Sequence, residues 1–584
     1  MNRLLRLLPG FACALTVLPA GLAAQAASNR AASRMPASHE LPIKYTGPAT
    51  RPAITAGDLM TRLYILADDS MMGRDAYSEG NVKGTTYIAG ELARLGLEPA
   101  GEDGGFFQYP LVFDSTSSGL STLSVNGSSF VLWHDFAPRD QGTGARAFDG
   151  APVVYAGSLG DTAHMLPSSA VAGKVALLTL ARDSAGNRNS NVNRFLITQR
   201  FHDASAIAVV MLDWVVPQQM QAFVARQNAV RSATPGPTTP SYFYVTKAAG
   251  TQLLGTDPEA ATPGATGGTV HGDVKFGQTR APGRNVVAIL RGSDPALRNE
   301  YVAIGSHDDH IGFRTDRSFD HDSVRAFHMV AAPQGADNGP VAPTPEQVAR
   351  IRAMTDSLHA LHGVRMDSIY NGADDDGSGS VSLLEIAEQF SKAHTRPKRS
   401  MLFIWHAGEE YGMLGSRYFT DNPTVPRDSI VAELNIDMIG RGGATDITGV
   451  TKEGALIHGG PGYVQLIGSR RLSTELGNLA ETVNTEKHLG LHFDYSLDAN
   501  GHPQNIYCRS DHAMYARWGI PVVFFTTGGH ADYHQLTDEP QYIDYDRMAN
   551  VATMVYDLGE RVANLDHRVV VDHPRPDPNG QCQQ

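Results

Sequence analysis

The sequence lacks the features that would tie the protein to a membrane or to nucleic acid. Beyond the N-terminus, no segment approaches the roughly 20 uninterrupted apolar residues that a transmembrane helix needs. Positive charge is in deficit, since 48 Lys and Arg stand against 61 Asp and Glu, for a formal net charge of −13. A protein of this charge is not expected to bind nucleic acid. With 42% hydrophobic and 19% charged residues, global disorder is not expected either.

The N-terminus predicts an export signal. Residues 1–26 carry two arginines, an apolar stretch interrupted by Pro9 and Pro19, and then Ala24-Gln25-Ala26, which fits an A-x-A cleavage site. A membrane anchor is the alternative, but the apolar run is short and broken. Removal of two arginines and no acid would change the formal charge from −13 to −15. We therefore expect an exported protein, periplasmic or extracellular, with no membrane span after signal removal.

Cysteine is scarce, with three residues in the chain. Cys13 lies in the predicted signal, so Cys508 and Cys582 remain in the exported protein. In an oxidising compartment these two can form a disulfide that ties the C-terminal tail to the body of the protein. Two free thiols are the alternative.

The 584 residues suggest about three structural units. Residues 27–53, rich in Ala, Ser, Pro and Thr, are expected to form a flexible lead-in. Residues 118–280 carry short β-like runs separated by Gly, Ser, Thr and Pro, which predicts a separate β-rich module. From residue 281 apolar strands alternate with helical stretches, which predicts an α/β sheet covered on both faces. Residues 313–370 are too long for a simple connection and are expected to form a lid or rim.

Polar side chains gather near the ends of the predicted strands of this α/β region. At the carboxyl ends of strands in such sheets, polar residues are the expected site of chemistry. The segments are "YVAIGSHDDH" with His307 and Asp309, "NGADDDGSG" with Asp374, Asp375 and Asp376, "FIWHAGEEYG" with Glu409 and Glu410, "LNIDMIG" with Asp437, and "GHADYHQLTD" with His534 and Asp538. His, Asp and Glu without cysteine suit a divalent cation such as zinc.

The three adjacent aspartates also have simpler interpretations. A solvated turn ahead of a helix would place acids favourably at the helix N-terminus. An EF-hand calcium loop is disfavoured, because the later ligand spacing and the terminal Glu are absent. Neighbouring aspartates repel one another unless solvent or cations neutralise them, and their occurrence with the other four segments favours a metal site.

These segments, in this order and spacing, resemble those of the M28 family of co-catalytic zinc peptidases, which includes bacterial leucyl aminopeptidases and glutamate carboxypeptidase. The resemblance covers about residues 280–560, and "LADDSMMGRDAYSEGNVKGTTYIAGELARLGLEP" is similar to the lead-in of larger members. It implies a three-layer, mixed-sheet α/β zinc-exopeptidase domain built from residues 54–117 and 281–565. Residues 118–280 are similar to the protease-associated domain that many members carry as an insertion, and residues 566–584 form a C-terminal tail.

The resemblance implies two zinc ions per chain and a role for each motif residue. His307 and Asp437 would bind one ion, Glu410 and His534 the other, and Asp375 would bridge them. Asp375 matches because it precedes Asp376-Gly377-Ser378-Gly379, where the family often has Asn in place of Asp376; Asp374 and Asp376 are the alternatives for the bridge.

The implied catalytic roles follow from this metal pair. The two ions would share and activate a water, with Glu409 as its general base. Asp309 would hold the tautomer of His307, and Tyr533 would donate a hydrogen bond to the oxyanion.

Other histidines near the motifs, namely His310, His406, His512 and His530, are not expected to be ligands, because such a zinc site is already filled. Asp511 and Asp538 are expected to support the ligands.

The substrate would be a peptide, and aminopeptidase activity is favoured because it is the commoner activity of the family. A carboxypeptidase or dipeptidase would need Arg417, Arg441 or Arg509 to clamp a terminal carboxylate. A single-zinc glutaminyl cyclase and a non-catalytic, transferrin-receptor-like protein are the more distant alternatives.

Overall fold

The structure, a computed structural model, describes residues 41–584 apart from gaps at 116–118, 140–144, 162, 183–185, 187–193, 215–228, 233–237, 340 and 581. The predicted signal peptide and residues 27–40 of the predicted lead-in lie outside the described residues. Residues 43–53 form no helix or strand. Thr50 Oγ1 donates a hydrogen bond at 2.8 Å to Oε2 of Glu388, which lies on the helix Gly379–Lys392. Ile43–Gln584 form one unit.

The strands of the described residues are numbered along the chain. They are β1 (Glu98–Pro99), β2 (Phe107–Gln108), β3 (Leu111–Ser115), β4 (Thr122–Val125), β5 (Ser128–Ser129), β6 (Phe136–Arg139), β7 (Phe148–Leu159), β8 (Val175–Leu180), β9 (Ala206–Val210), β10 (Ala229–Ser232), β11 (Ser241–Val245), β12 (Thr266–Asp273), β13 (Gly277–Arg280), β14 (Asn285–Leu290), β15 (Tyr301–His307), β16 (Phe319–Asp320), β17 (Met366–Asp367), β18 (Ser400–His406), β19 (Ile430–Ile436), β20 (Ile447–Val450), β21 (Leu456–His458), β22 (Tyr463–Ile467), β23 (His492–Asp494) and β24 (Val522–Thr526).

The α-helices of the same residues are numbered in the same way. They are α1 (Ala56–Leu66), α2 (Glu79–Leu95), α3 (Arg194–Arg200), α4 (Lys247–Leu254), α5 (His321–Ala331), α6 (Pro345–His362), α7 (Gly379–Lys392), α8 (Leu414–Asp421), α9 (Thr474–Glu486), α10 (His512–Ala516) and α11 (Tyr545–Ala563). None of the helices in the described part of the chain combines the length and hydropathy that a bilayer span requires.

The larger sheet has the strand order β1-β14-β18-β15-β19-β24-β22-β23, with β2 also paired to β14. Its four central strands, β18, β15, β19 and β24, are parallel. They are flanked by antiparallel β14 on one side and antiparallel β22 on the other. This is a mixed sheet, as predicted. Because the central strands are parallel, their carboxyl ends meet at one edge of the sheet.

Helices cover both faces of this sheet. A Cβ added to Gly559 of α11 would lie 3.4 Å from Met401 of β18, so α11 packs closely on that face. Side chains alternate between the faces of a strand, and the next residue, Leu402, shares a core with Phe419 of α8 and Tyr515 of α10. The central strands are buried along their whole length. The three-layer α/β architecture predicted from the alternating apolar runs is confirmed.

A second set of sheets is formed between β2 and β14. One has eight strands in the order β5-β4-β12-β7-β8-β9-β11-β6, and the other has three in the order β10-β3-β13. The eight-stranded sheet uses only residues from 122 to 273. The β-rich texture predicted for residues 118–280 is therefore present as strands, while the boundaries and the assignment as a protease-associated domain stay predictions.

Residues 313–370 pack against the segment 530–539. They contain α5, α6 and the short pair β16–β17. Hydrogen bonds join the two segments: Ala336 N to Tyr533 O at 3.1 Å, Arg325 Nη1 to Asp532 Oδ2 at 2.6 Å, and Arg365 Nη2 to Glu539 Oε2 at 2.6 Å. The segment 530–539 carries His534, so the insertion supports one wall of the predicted site.

Cys508 and Cys582 form a disulfide. It resolves the two alternatives left open by the sequence in favour of a covalent bond between the C-terminal tail and the body. Gln584, at the end of the tail, accepts a hydrogen bond from the Tyr507 backbone N at 3.0 Å.

Candidate metal centre

The fold brings the sequence-predicted residues together at the carboxyl edge of the central strands. His307 is the last residue of β15, Asp437 follows β19 directly, and Glu410 lies in the turn between β18 and α8. His534 lies in the segment after β24, and Asp375 lies in the turn that precedes α7. Their ligand atoms form two groups that have Asp375 in common.

The first group consists of His307, Asp375 and Asp437. Nε2 of His307 lies 3.2 Å from Oδ1 of Asp375 and 3.6 Å from Oδ1 of Asp437. The other carboxylate oxygen of Asp437 accepts a hydrogen bond from the Ser510 hydroxyl at 2.7 Å. Ser510 thus fixes the orientation of Asp437, a contact that no motif of the sequence predicts.

The second group consists of His310, Asp375, Glu410 and His534. Nε2 of His534 lies 2.9 Å from Oδ2 of Asp375 and 2.9 Å from Oε2 of Glu410. Nδ1 of His310 lies 2.8 Å from the other Glu410 oxygen, Oε1. The motif pattern does not include His310 among the expected ligands, although His310 stands in the same strand-end segment as His307.

The three adjacent aspartates have different surroundings. Asp374 Oδ1 accepts a hydrogen bond from Gly440 N at 2.6 Å, and Asp376 Oδ1 accepts from Gly379 N at 2.8 Å and Met438 N at 3.2 Å. Asp375 is the one whose two oxygens face the two groups. Asp374 and Asp376 therefore hold the backbone of the neighbouring segments, and Asp375 is left to face the ligand groups.

The donor set fits zinc. Imidazole nitrogen and carboxylate oxygen bind zinc at about 2.0–2.2 Å, so two donors of one tetrahedral ion lie about 3.3 Å apart. The distances within the two groups, 2.8 to 3.7 Å, bracket this value. Nε2 of His307 and Oδ2 of Asp375 are buried and face other ligand atoms of the two groups, at 3.2 Å for Asp375 Oδ1 and 2.9 Å for His534 Nε2.

The second group also stabilises positive charge. Burial lowers the pKa of His534, but hydrogen bonds with Asp375 and Glu410 outweigh burial and raise this pKa to about 11. Carboxylates that hold a proton on an imidazole so firmly would favour a cation at the same place.

Asp309 contacts His307 through its backbone. Nδ1 of His307 lies 3.1 Å from the Asp309 carbonyl oxygen, whereas the nearer Asp309 carboxylate oxygen is 3.7 Å away. A bond from Nδ1–H to this carbonyl leaves Nε2 free to face Asp375 and Asp437. The carboxylate of Asp309 instead accepts from Gly408 N at 2.8 Å and Glu409 N at 3.1 Å. Asp309 thus holds the turn that carries Glu409 and Glu410.

Glu409 lies beside both groups. Burial raises the pKa of its carboxyl well above the usual range; His307 acts against this shift, while the charges of Asp437 and Glu410 add to it. A carboxyl group with a raised pKa beside a metal site is suited to accept and return a proton.

A cavity of about 80 Å³ opens beside Asp437, and Tyr533 lines it. Its apolar walls come from Met438, Ile447, Leu497, Ile506 and Phe524. At its rim Arg509 donates to Asp337 at 3.1 Å and lies 3.4 Å from the Tyr533 hydroxyl. Burial raises the pKa of the Tyr533 phenol well above its ordinary value, so this hydroxyl keeps its proton.

The remaining sequence candidates lie around the ligand groups. Asp538 accepts hydrogen bonds from the backbone N of Asp374 and of Asp375, and Asp511 lies 3.4 Å from Nδ1 of His406. His530 pairs with Asp374 at 3.2 Å. His406, His512 and His530 belong to neither ligand group.

The fold and the site define an α/β protein with a candidate two-cation centre of His and carboxylate ligands. Residues 285–559 match the sequence profile described as Peptidase family M28. For residues 285–559 this match confirms the family resemblance stated from the motifs.

Curated relatives match about a third of the chain. Leupeptin-inactivating enzyme 1 of Streptomyces exfoliatus is 30% identical over 184 residues, which are 31% of this chain and 35% of that protein. Leucine aminopeptidase 1 of Penicillium rubens is 27% identical over 225 residues, which are 35% of this chain and 53% of that protein. The chain thus spans about a third to a half of the length of these relatives.

Among solved structures, the aminopeptidase from Aneurinibacillus sp. strain AM-1 is 17% identical with a TM-score of 0.44. The overlap covers 89% of this chain and 98% of that one. A score of this size is too low to bear on fold or function.

Proposed function

We propose that the protein is an exported aminopeptidase that uses two zinc ions to hydrolyse the N-terminal bond of peptides. The observation that carries this proposal is the position of Asp375. Its Oδ1 faces His307 and its Oδ2 faces His534, so one carboxylate belongs to two ligand groups at once. A carboxylate shared in this way is what a pair of neighbouring cations requires.

The residues of each group would hold one ion. His307, Asp375 and Asp437 would hold the first, and Asp375, Glu410 and His534 the second. Zinc ions held here would polarise the carbonyl of the scissile bond and lower the pKa of an attacking water.

The residues of the chain itself would handle the proton and the substrate. Glu409 would take the proton of the attacking water and pass it to the leaving amine. Asp309 supports this role by holding the backbone N of Glu409. The protonated Tyr533 hydroxyl would donate a hydrogen bond to the carbonyl oxygen as it gains charge.

The surroundings of the site favour aminopeptidase over carboxypeptidase activity. Of the three arginines considered as carboxylate clamps, Arg441 is paired with Asp532 at 2.8 Å, and Arg417 lines a different cavity. Arg509 lies at the rim of the cavity beside Asp437, but Asp337 already neutralises it. The apolar walls of this cavity suit an apolar side chain, and the names of the relatives also favour an aminopeptidase.

Export is part of the proposal. The N-terminal residues have the charge pattern, apolar stretch and A-x-A site of a signal peptide. The disulfide between Cys508 and Cys582 supports an oxidising destination, because disulfides persist outside the cytosol.

The test compares three peptides that differ at their ends: leucyl-peptide with both ends free, the N-acetylated form, and the C-terminal amide. We expect cleavage of the free and amidated peptides, no cleavage of the acetylated one, loss of activity with 1,10-phenanthroline, and recovery with zinc. Cleavage of the acetylated but not the amidated peptide would make the protein a carboxypeptidase. Cyclisation of an N-terminal glutamine would indicate a glutaminyl cyclase, and metal-free, inactive protein would leave only the binding role.

A further inference from the structure

His310 is buried at the second ligand group, although the motif pattern does not require it. Its Nδ1 atom lies 2.8 Å from Oε1 of Glu410 and 3.7 Å from Oδ2 of Asp375. Its ring centroid lies 5.5 Å from that of His534. The ring is therefore surrounded by the residues that would hold the second zinc ion.

The backbone around His310 is built to admit this ring. Gly372 has φ +57°, and a Cβ at this position would lie 2.5 Å from the His310 ring, so glycine is needed both for the conformation and for the space. Arg74 holds the carbonyl oxygens of Asn371 at 2.6 Å and Gly372 at 2.8 Å, and its own carbonyl accepts from His310 N at 3.3 Å. The imidazole is thus fixed from both sides, with Nδ1 directed at the carboxylates.

We propose that His310 supplies a fourth protein donor, through Nδ1, to the zinc ion held by Asp375, Glu410 and His534. This proposal rests on the proposed zinc function and deepens it. The four ligand atoms lie within 4.8 Å of one another. The two His310 distances, 2.8 and 3.7 Å, bracket the roughly 3.3 Å that separates two donors of a tetrahedral zinc ion.

The competing interpretation makes His310 a plain hydrogen-bond donor that orients Glu410. An amide in place of the imidazole could take over that role, because it also carries an N–H, but it is a poor zinc ligand. The two interpretations therefore differ in what an Asn or Gln at this position should do.

The proposal gives the two ions different numbers of protein donors and therefore different binding strengths. A zinc ion with four protein donors is held more firmly than one with three, and it can still take a water or substrate oxygen by expanding to five ligands. The ion of the His310 group would be the more firmly held. The ion of the His307 group, with three donors and the apolar cavity beside Asp437, would have the more open position.

The test measures metal binding in the full-length exported protein and in the variants His310→Ala, His310→Asn and His394→Ala. His394 is an exposed histidine and serves as the control. Zinc content is measured after dialysis against a series of chelator concentrations, and the visible absorption of the cobalt-substituted protein reports the number and type of donors. Circular dichroism verifies that each variant is folded.

We expect wild type and His394→Ala to keep two zinc ions. Both His310 variants should release one ion at a chelator concentration at least about tenfold lower than the concentration wild type requires. The visible spectrum of their cobalt-substituted forms should differ from that of wild type. Retention of both ions by His310→Asn with an unchanged cobalt spectrum would overturn the proposal and leave the hydrogen-bond role. A wild-type protein that binds no zinc would overturn the proposed function instead, which separates the two failures.

Discussion

Nε2 of His534 lies 2.9 Å from Oδ2 of Asp375. This contact joins the segment after β24 to the turn before α7, two parts of the chain that are far apart in sequence. The other oxygen of the same carboxylate faces His307 on β15. One side chain therefore connects three separate segments, and the proposed metal pair would depend on it.

Asp375→Ala should remove zinc from both groups, because each group loses a carboxylate donor. Zinc per chain, measured by mass spectrometry after gel filtration, is expected to fall from two towards zero. Asp316→Ala, which removes an exposed acid paired with Arg314, should retain both ions. If Asp375→Ala keeps two ions while Asp374→Ala or Asp376→Ala loses them, the bridge is the neighbouring aspartate.

Glu409→Gln should separate catalysis from metal binding. The amide keeps the shape of the side chain but cannot take a proton, so turnover should fall by roughly two to four orders of magnitude while both zinc ions stay bound. The measurements are kcat on leucyl-peptide and zinc content, with the exposed Glu453→Gln as the matched control. Wild-type turnover in Glu409→Gln would exclude the general-base role.

The sheet, and most members of the two candidate ligand groups, could be predicted from the sequence because both depend on local signals. Apolar runs mark β15, β18 and β19, and polar residues directly after them, such as Asp437, must lie at the edge of a parallel sheet. The place of His310 could not be predicted in this way. It depends on the positive φ of Gly372 and on the buried Arg74, which bring distant backbone segments together. The packing of residues 313–370 on the segment 530–539 likewise depends on pairings between loops, which have no periodicity.

The buried His512 should make the protein less stable in mild acid. Burial lowers the pKa of this imidazole to about 3, while its ring stacks on Phe524 with centroids 4.7 Å apart. The unfolded chain, with an ordinary histidine pKa near 6.5, takes up a proton that the folded chain does not. The contribution of His512 to stability is therefore complete above about pH 6.5 and falls as the pH drops towards 3, by at most about 1.4 kcal/mol per pH unit.

His512→Phe should weaken this acid dependence. The measurement is the free energy of unfolding by denaturant at pH 7.5 and pH 5 for wild type and variant. The free energy of unfolding at pH 7.5 reports the change in packing. Its difference between pH 7.5 and pH 5 reports the protonation of His512 on unfolding. The same pH difference in both proteins would show that His512 is not the titrating group.

The disulfide should contribute measurably to stability. It closes a loop between positions 74 residues apart, and native disulfides typically contribute about 2–4 kcal/mol. Cys582→Ser, unfolded in denaturant under the same conditions as wild type, should lose an amount of this size. Reduction of wild type should produce the same loss, whereas Cys582→Ser should be insensitive to reductant. A reductant effect on the variant would mean that the loss has another cause.

The contacts of residues 313–370 also bear on how a peptide would reach the proposed metal centre. Glu539 is buried and accepts from Arg365 at 2.6 Å, and His321 lies 3.0 Å away, so two of its partners come from this insertion. Swinging the insertion outward would leave Glu539 without both of them, at a cost of roughly 3–5 kcal/mol. If the proposed function holds, we therefore expect the insertion to stay packed on the segment 530–539 while peptides bind and leave. Selection among peptides would follow from the shape of their ends rather than from an opening motion.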